Sequence, residues 1–144
     1  MNQTNSTPPN PRYALVTGAS SGIGRAIAEQ LAAKGISLAI TARREQKLRE
    51  LADQLKQAHN IRVDIFPTDL AKAGAAQALY DAVTAVQNID ILVNNAGMAI
   101  GPMMVKTELA KQEMFLDLTV RAPTTLTYLC LPHMQQQGLS LIHI

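Results

Sequence analysis

Short apolar runs alternate along this chain with stretches in which apolar residues recur every three or four positions. Arg12–Val16, Ile36–Ala42, Ile61–Phe66 and Ile89–Val93 are runs of strand length. Between the first two, Ile23, Ile27 and Leu31 fall at helical spacing over Gly22–Lys34, and Gly35 stands where a left-handed residue ends a helix. Leu48, Leu51 and Leu55 mark a second helix, Arg44–Ala58, in which Glu45 and Arg49 have the favoured ion-pair spacing. Leu79, Val83 and Val86 mark a third over Ala75–Gln87. A longer helical pattern runs from about Glu108 to about Gln137, with Pro123 inside it and predicted to kink it or to be accommodated locally. Four strands separated by three helices predict an α/β fold with right-handed crossovers. The result is a doubly wound parallel sheet of order 3-2-1-4, reaching about four strands and the long helix that follows.

Composition narrows the class. Hydrophobic residues make up 47% of the 144 positions and aromatics only 3%, so the core must be aliphatic. The net charge of +2, with no basic run beyond Arg43-Arg44, gives no reason to expect nucleic acid. Cys130 is the only cysteine, which excludes an internal disulfide. No apolar stretch reaches the length of a membrane span. Residues 1–11 are polar and proline-rich and read as a disordered lead-in, without the apolar core of a signal peptide, so a cytoplasmic location is expected. The domain proper is expected over residues 12–138. In 139–144, Leu139, Leu141 and Ile142 could supply a short fifth strand, although the segment lacks the expected strand-end pattern.

The candidate chemistry lies where strands end. Val16 to Gly24 carries a Gly-x-x-x-Gly-x-Gly turn between the first strand and first helix. Such a turn leaves the helix's first N–H groups unpaired, and with the positive end of the helix dipole they favour a phosphate or pyrophosphate. Asn94-Asn95-Ala96-Gly97 follows the fourth strand directly. In the order 3-2-1-4 both segments reach the carboxyl edge of the sheet and flank the crevice where the order reverses.

Thr17-Gly18-x-x-x-Gly22-Ile23-Gly24, Asp69-Leu70 after the third strand, Asn94-Asn95-Ala96-Gly97 after the fourth and, more weakly, Leu131-Pro132-His133-Met134 occur in this order. The chain thereby resembles the N-terminal part of the short-chain dehydrogenase/reductase family from Tyr13 to about Gly138. The resemblance implies a Rossmann-like fold and hydride transfer between a nicotinamide cofactor and a small-molecule carbonyl or alcohol. It further implies a cofactor site built from Gly18, Ser20, Ser21, Gly22, Ile23 and Gly24 at the pyrophosphate, Asp69 and Leu70 at the adenine, and Asn95, Ala96 and Gly97 beside the nicotinamide ribose. Asp69 could also cap the helix that follows it, although the adenine contact is the favoured reading. Asn94 is expected to tie neighbouring strand-end backbones together. At the end of the second strand the sequence reads Thr41-Ala42-Arg43-Arg44, with no carboxylate before Glu45. An acidic residue here would accept from the ribose hydroxyls of NAD, whereas a guanidinium suits the 2′-phosphate of NADP. NADP is therefore expected over NAD, with Arg43 as the main contact and Arg44 as its helper.

The family's catalytic Tyr-x-x-x-Lys is absent: Tyr13, Tyr80 and Tyr128 are followed four positions on by Thr17, Thr84 and Pro132. All three tyrosines are assigned structural roles, and no catalytic residue is assigned. Thr119 occupies the position of the family's relay asparagine, whose amide it cannot reproduce. The three histidines show no metal-ligand spacing, Cys130 reads as a packed side chain, and Met98, Met103 and Met104 as ordinary packing. The expectation is an oxidoreductase's cofactor-binding half, catalytically incomplete, with a homo-oligomer expected only of a complete enzyme. The alternative is a non-catalytic dinucleotide-binding module or sensor.

Overall fold

The computed structural model describes residues 12–101, 104–138 and 142–143. The expected lead-in, Pro102, Met103 and most of the C-terminal segment lie outside the described residues. The strands are β1 (Tyr13–Thr17), β2 (Ser37–Ala42), β3 (Val63–Pro67), β4 (Ile91–Val93) and β5 (Ile142–His143). The α-helices are α1 (Gly22–Ala33), α2 (Glu45–His59), α3 (Ala75–Thr84), α4 (Leu109–Leu116) and α5 (Ala122–Gln136). All strand pairs are parallel, in the order β3-β2-β1-β4-β5. The expected reversal between the first and fourth strands is therefore present. β5 adds to the outer edge of β4 through the pairs Leu92↔Ile142 and Val93↔His143.

The two faces of the sheet bury separate aliphatic clusters. Alternation along β1 sends Ala14 and Val16 to one face, where α1 and α2 contribute Ala28, Ala32, Leu48, Leu51 and Leu55. Tyr13 and Leu15 face the other, against Leu79 and Val83 of α3 and Leu126, Cys130 and Met134 of α5. In α2 the buried residues are the expected leucines, and Glu45 pairs with Arg49. In α1 the expected stripe is displaced. Its buried residues are Gly24, Ala28 and Ala32, Ile27 and Leu31 are only partly buried, and Ile23 is 72% exposed. Small residues at spacing four let the helix axis lie close to the sheet, and larger neighbours are turned outward. In the third helix the stripe ends at Val83: α3 stops at Thr84, and Val86 is exposed.

The long helix is two helices. Between α4 and α5, Asp117–Arg121 form a π turn in which the Ala122 N–H donates to the Asp117 carbonyl. Pro123 stands in the first turn of α5, where its lack of an N–H is tolerated. Without that N–H the Thr119 carbonyl loses its normal i+4 donor, so the register slips by one residue just before the proline. Pro132, by contrast, lies inside α5 without ending it. The far end of α5 is pinned to β4's approach by His133, whose Nε2 lies 3.1 Å from Asp90 Oδ1. Asp90 Oδ2 in turn accepts from the Tyr13 N–H.

Tyr13 and Tyr80 have the packing roles expected of them, since Tyr13 is fully buried and Tyr80 lies against the α3–α5 cluster. Tyr128 does not; it is 76% exposed on α5. Burial, then the hydrogen bond from its hydroxyl to Asp64 (2.7 Å), push Tyr13 well above its ordinary value of 10.0. Burial alone pushes Cys130 from 9.0 up to about 12. For both groups the unfolded chain releases its proton first, so the native state loses stability as the pH climbs from about 9 through 12. Urea midpoints measured across this window should fall steadily, and Cys130→Ala should remove the earliest part of the decline. A midpoint flat from pH 8 to 11 would contradict the burial of both groups.

Candidate functional site

The carboxyl edge of the sheet opens into a cleft of about 270 Å³ between the turns that follow β1, β2, β3 and β4. Its first wall is the β1–α1 turn, with Gly18, Ser20 and Ser21. Gly18 has φ +69°, and an added Cβ would lie 2.8 Å from Asn95 Nδ2 and 2.9 Å from the Ala96 Cα. Both conformation and space therefore demand glycine here. Gly22 and Gly24 do not line the cleft. Gly22 takes φ +57° to start α1, and Gly24 packs the helix directly on the Gly18 carbonyl and the Asn95 amide. Ile23, expected at the pyrophosphate through its resemblance position, has its side chain outside the cleft wall.

The second wall comes from β4. Thr17, 1% exposed, donates from Oγ1 to the Val93 carbonyl (3.1 Å) and accepts from the N–H groups of Asn95 and Ala96 (3.0 Å each). Asn95 Nδ2 returns to the carbonyls of Thr17 (3.1 Å) and Gly18 (3.3 Å). The tie between strand ends, expected of Asn94, thus belongs to Asn95. Asn94 instead reaches across to Thr127 Oγ1 on α5 (3.1 Å). The physical reason is alternation: neighbouring residues leaving β4 point to opposite faces, and only Asn95 faces β1.

Arg43 and Arg44 close the β2 end, and Thr68, Asp69 and Leu70 the β3 end. Arg44 donates from Nη2 to Ser20 Oγ (3.1 Å) and Ser21 Oγ (3.0 Å). Arg43 makes no hydrogen bond or ion pair among the described residues, and Glu45 turns away from the cleft to Arg49. Asp69 caps a single turn, accepting from the Ala71 N–H at Oδ1 (3.1 Å), whereas Gly74 is the N-cap of α3. Oδ2 of Asp69 is without a partner among the described residues. Ala96 and Gly97 complete the wall with Asn95. Thr41, Ala42 and Leu118 also line the cleft and were not anticipated. Thr41 and Ala42 follow from their place at the end of β2, whereas Leu118 comes from the π turn before α5. Thr119, its neighbour, is exposed and lines no part of this cleft.

A glycine turn, an Asn-Asn-Ala-Gly segment and an aspartate thus converge on one switch-point cleft. The short chain dehydrogenase family model matches residues 12–144. The chain belongs to the short-chain dehydrogenase family. It is 36% identical over 126 residues to sulfoacetaldehyde reductase 2 of Chromohalobacter salexigens, covering 86% of this chain and 49% of that protein. Among solved structures, it is similar to a short-chain dehydrogenase of Sphingobium yanoikuyae in complex with NADPH (TM-score 0.85, 33% identity, 91% of this chain and 51% of that one). It is also similar to the L-sorbose reductase of Gluconobacter frateurii complexed with NADPH and L-sorbose (TM-score 0.86, 33% identity, 92% and 51%). The chain spans about half the length of these members of the family. No helix among the described residues is long and apolar enough to cross a membrane. No group of three or more His, Cys, Asp or Glu residues among them could hold a metal ion.

Proposed function

We propose that this chain is the NADP(H)-binding half of a short-chain dehydrogenase that interconverts a carbonyl and an alcohol. The observation that carries the reading is the charge of the β2 end of the cleft, two guanidiniums with the Glu45 carboxylate turned away to Arg49. A 2′-phosphate gains charge-assisted hydrogen bonds there, and a bare ribose diol finds no acceptor of the kind NAD uses. The NADPH complexes among the similar structures support the same choice.

Each strand end would hold one part of the dinucleotide. Gly18, Ser20, Ser21 and the first amides of α1 would hold the pyrophosphate, Ser20 and Ser21 adding hydroxyl donors. Asp69 Oδ2 would accept from the adenine amino group, with Leu70 beside the ring. Asn95, Ala96 and Gly97 would flank the nicotinamide ribose. When bound, the nicotinamide supplies or takes the hydride; this chain's residues bind and orient it and carry no proton. The described residues supply no paired tyrosine and lysine, so the 144-residue chain is expected to bind cofactor without turnover.

Fluorescence titration of the 144-residue chain with NADPH and NADH tests the proposal. NADPH should bind more tightly, and Arg43→Ala should weaken NADPH about tenfold while leaving NADH nearly unchanged, as loss of one charge-assisted contact implies. Equal losses for the two cofactors would remove the 2′-phosphate argument.

A further inference from the structure

We propose that a second cavity, between the β3–α3 connection and the π turn before α5, binds a small aliphatic monocarboxylate. It has a volume of about 160 Å³, and its lining includes Leu70, Lys72, Ala76, Asp117, Arg121 and Ala122. Leu70 is the one residue it shares with the dinucleotide cleft. The inference goes beyond the dinucleotide reading and does not depend on it.

The cavity exists because small residues meet where α3 and α5 pack. Ala76 in the first turn of α3 and Ala122 at the start of α5 are both buried, and with Leu70 they make an apolar floor. Gly74, also in the lining, has no side chain to close it, and a Cβ added there would meet nothing within 4 Å. Water over such a floor finds few polar partners, so a short methylene chain displaces it favourably. At the ~30 Å³ that a water occupies in the liquid, the volume admits about five groups of that size. The tail must therefore be short.

The rim sets the charge of the ligand. Arg121 Nε lies 2.8 Å from Asp117 Oδ1, so those two charges cancel. Lys72 makes no ion pair among the described residues and lines the same cavity. The rim thus carries one uncompensated positive charge beside an apolar floor, the complement of a single carboxylate on a hydrocarbon tail. An amine of the same length would meet Lys72 and be repelled, and an alcohol would gain the floor without the charge.

Amide NMR titration of the 144-residue chain with pentanoate, pentan-1-ol and pentylammonium is the experiment. Pentanoate should bind with a Kd of about 1 mM, with shifts centred on Lys72–Gln77 and Asp117–Thr125, and about fivefold more tightly than the alcohol. Lys72→Gln, a change at an exposed side chain that leaves the fold intact, should erase that advantage without altering the affinity for the alcohol. Ala76→Leu fills the floor and should weaken both ligands about tenfold. Saturating NADPH should leave pentanoate bound, because the two cavities are separate. Equal affinity for the three ligands, tighter binding of pentylammonium, or displacement of pentanoate by NADPH would each overturn the inference. So would a Lys72→Gln chain that binds pentanoate as the wild type does. A chain that takes pentanoate but no dinucleotide removes the functional reading and leaves this inference standing.

Discussion

Replacing Gly24 with alanine is expected to lower the unfolding free energy by about 3 kcal/mol and to abolish dinucleotide binding. A Cβ at this position would be driven into the Gly18 carbonyl oxygen and the Asn95 side-chain amide. Gly18 is backbone in a turn, and the Asn95 amide is held by two carbonyls, so neither can swing aside. Overpacking against such neighbours costs about 1–3 kcal/mol, and this site belongs at the upper end. For a chain of this size the thermal midpoint should drop by about 10 °C. The same displacement separates α1 from the β1 turn and so disperses the donors of the pyrophosphate site. Gly22→Ala is the internal control: its added Cβ meets nothing within 4 Å, leaving only the left-handed φ of +57° to resist it, at about 1 kcal/mol. Equal stability of the Gly24 variant and the wild type would refute the close packing of α1.

Thr17→Val should cost about 2 kcal/mol and more than tenfold in NADPH affinity, although the two side chains have nearly the same shape. The hydroxyl is the hub between β1 and β4, donating to Val93 and accepting from Asn95 and Ala96. The Asn95 N–H also reaches the Val93 carbonyl (3.1 Å), so valine leaves chiefly the Ala96 N–H without a partner. An orphaned buried donor costs about 1–3 kcal/mol. The Asn95–Gly97 wall, then held to the β1 end only through the Asn95 amide, loses part of the geometry that faces the nicotinamide ribose in the proposed complex. Thr17→Ser keeps the hydroxyl and should retain most of both properties. Chemical denaturation and NADPH titration of the pair separate hydrogen bonding from packing, and identical behaviour of valine and serine would refute the role of the hydroxyl.

Much of this architecture could be read from periodicity. The alternation of strand-length and helix-length patterns led to the order 3-2-1-4, because parallel neighbours need crossovers and crossovers have one hand. The leucines of α2 and the Glu45–Arg49 pair were legible for the same reason: an exposed helix carries its own face and its own charges. The stripe of α1 was not legible. Periodicity counts large apolar side chains, whereas this helix is seated on Gly24, Ala28 and Ala32, whose value lies in their smallness. A disturbance around Pro123 was legible, but the register slips earlier, over Asp117–Arg121, because the lost hydrogen bond belongs to the carbonyl four residues back.

The cleft shows the same division. By itself the sequence determined that a glycine turn, two arginines, an aspartate and Asn94–Gly97 follow the ends of four strands, and parallel pairing then obliges them to share one edge. Only the tertiary structure decided which asparagine ties the strands, since that depends on which face of β4 each side chain leaves. It alone decided that Leu118 enters the wall while Ile23 stays outside. It also decided that Arg44 is bonded to Ser20 and Ser21 while Arg43 has no such contact. Those contacts join residues more than twenty positions apart, and no local pattern of charge or hydrophobicity records a distance across a sheet.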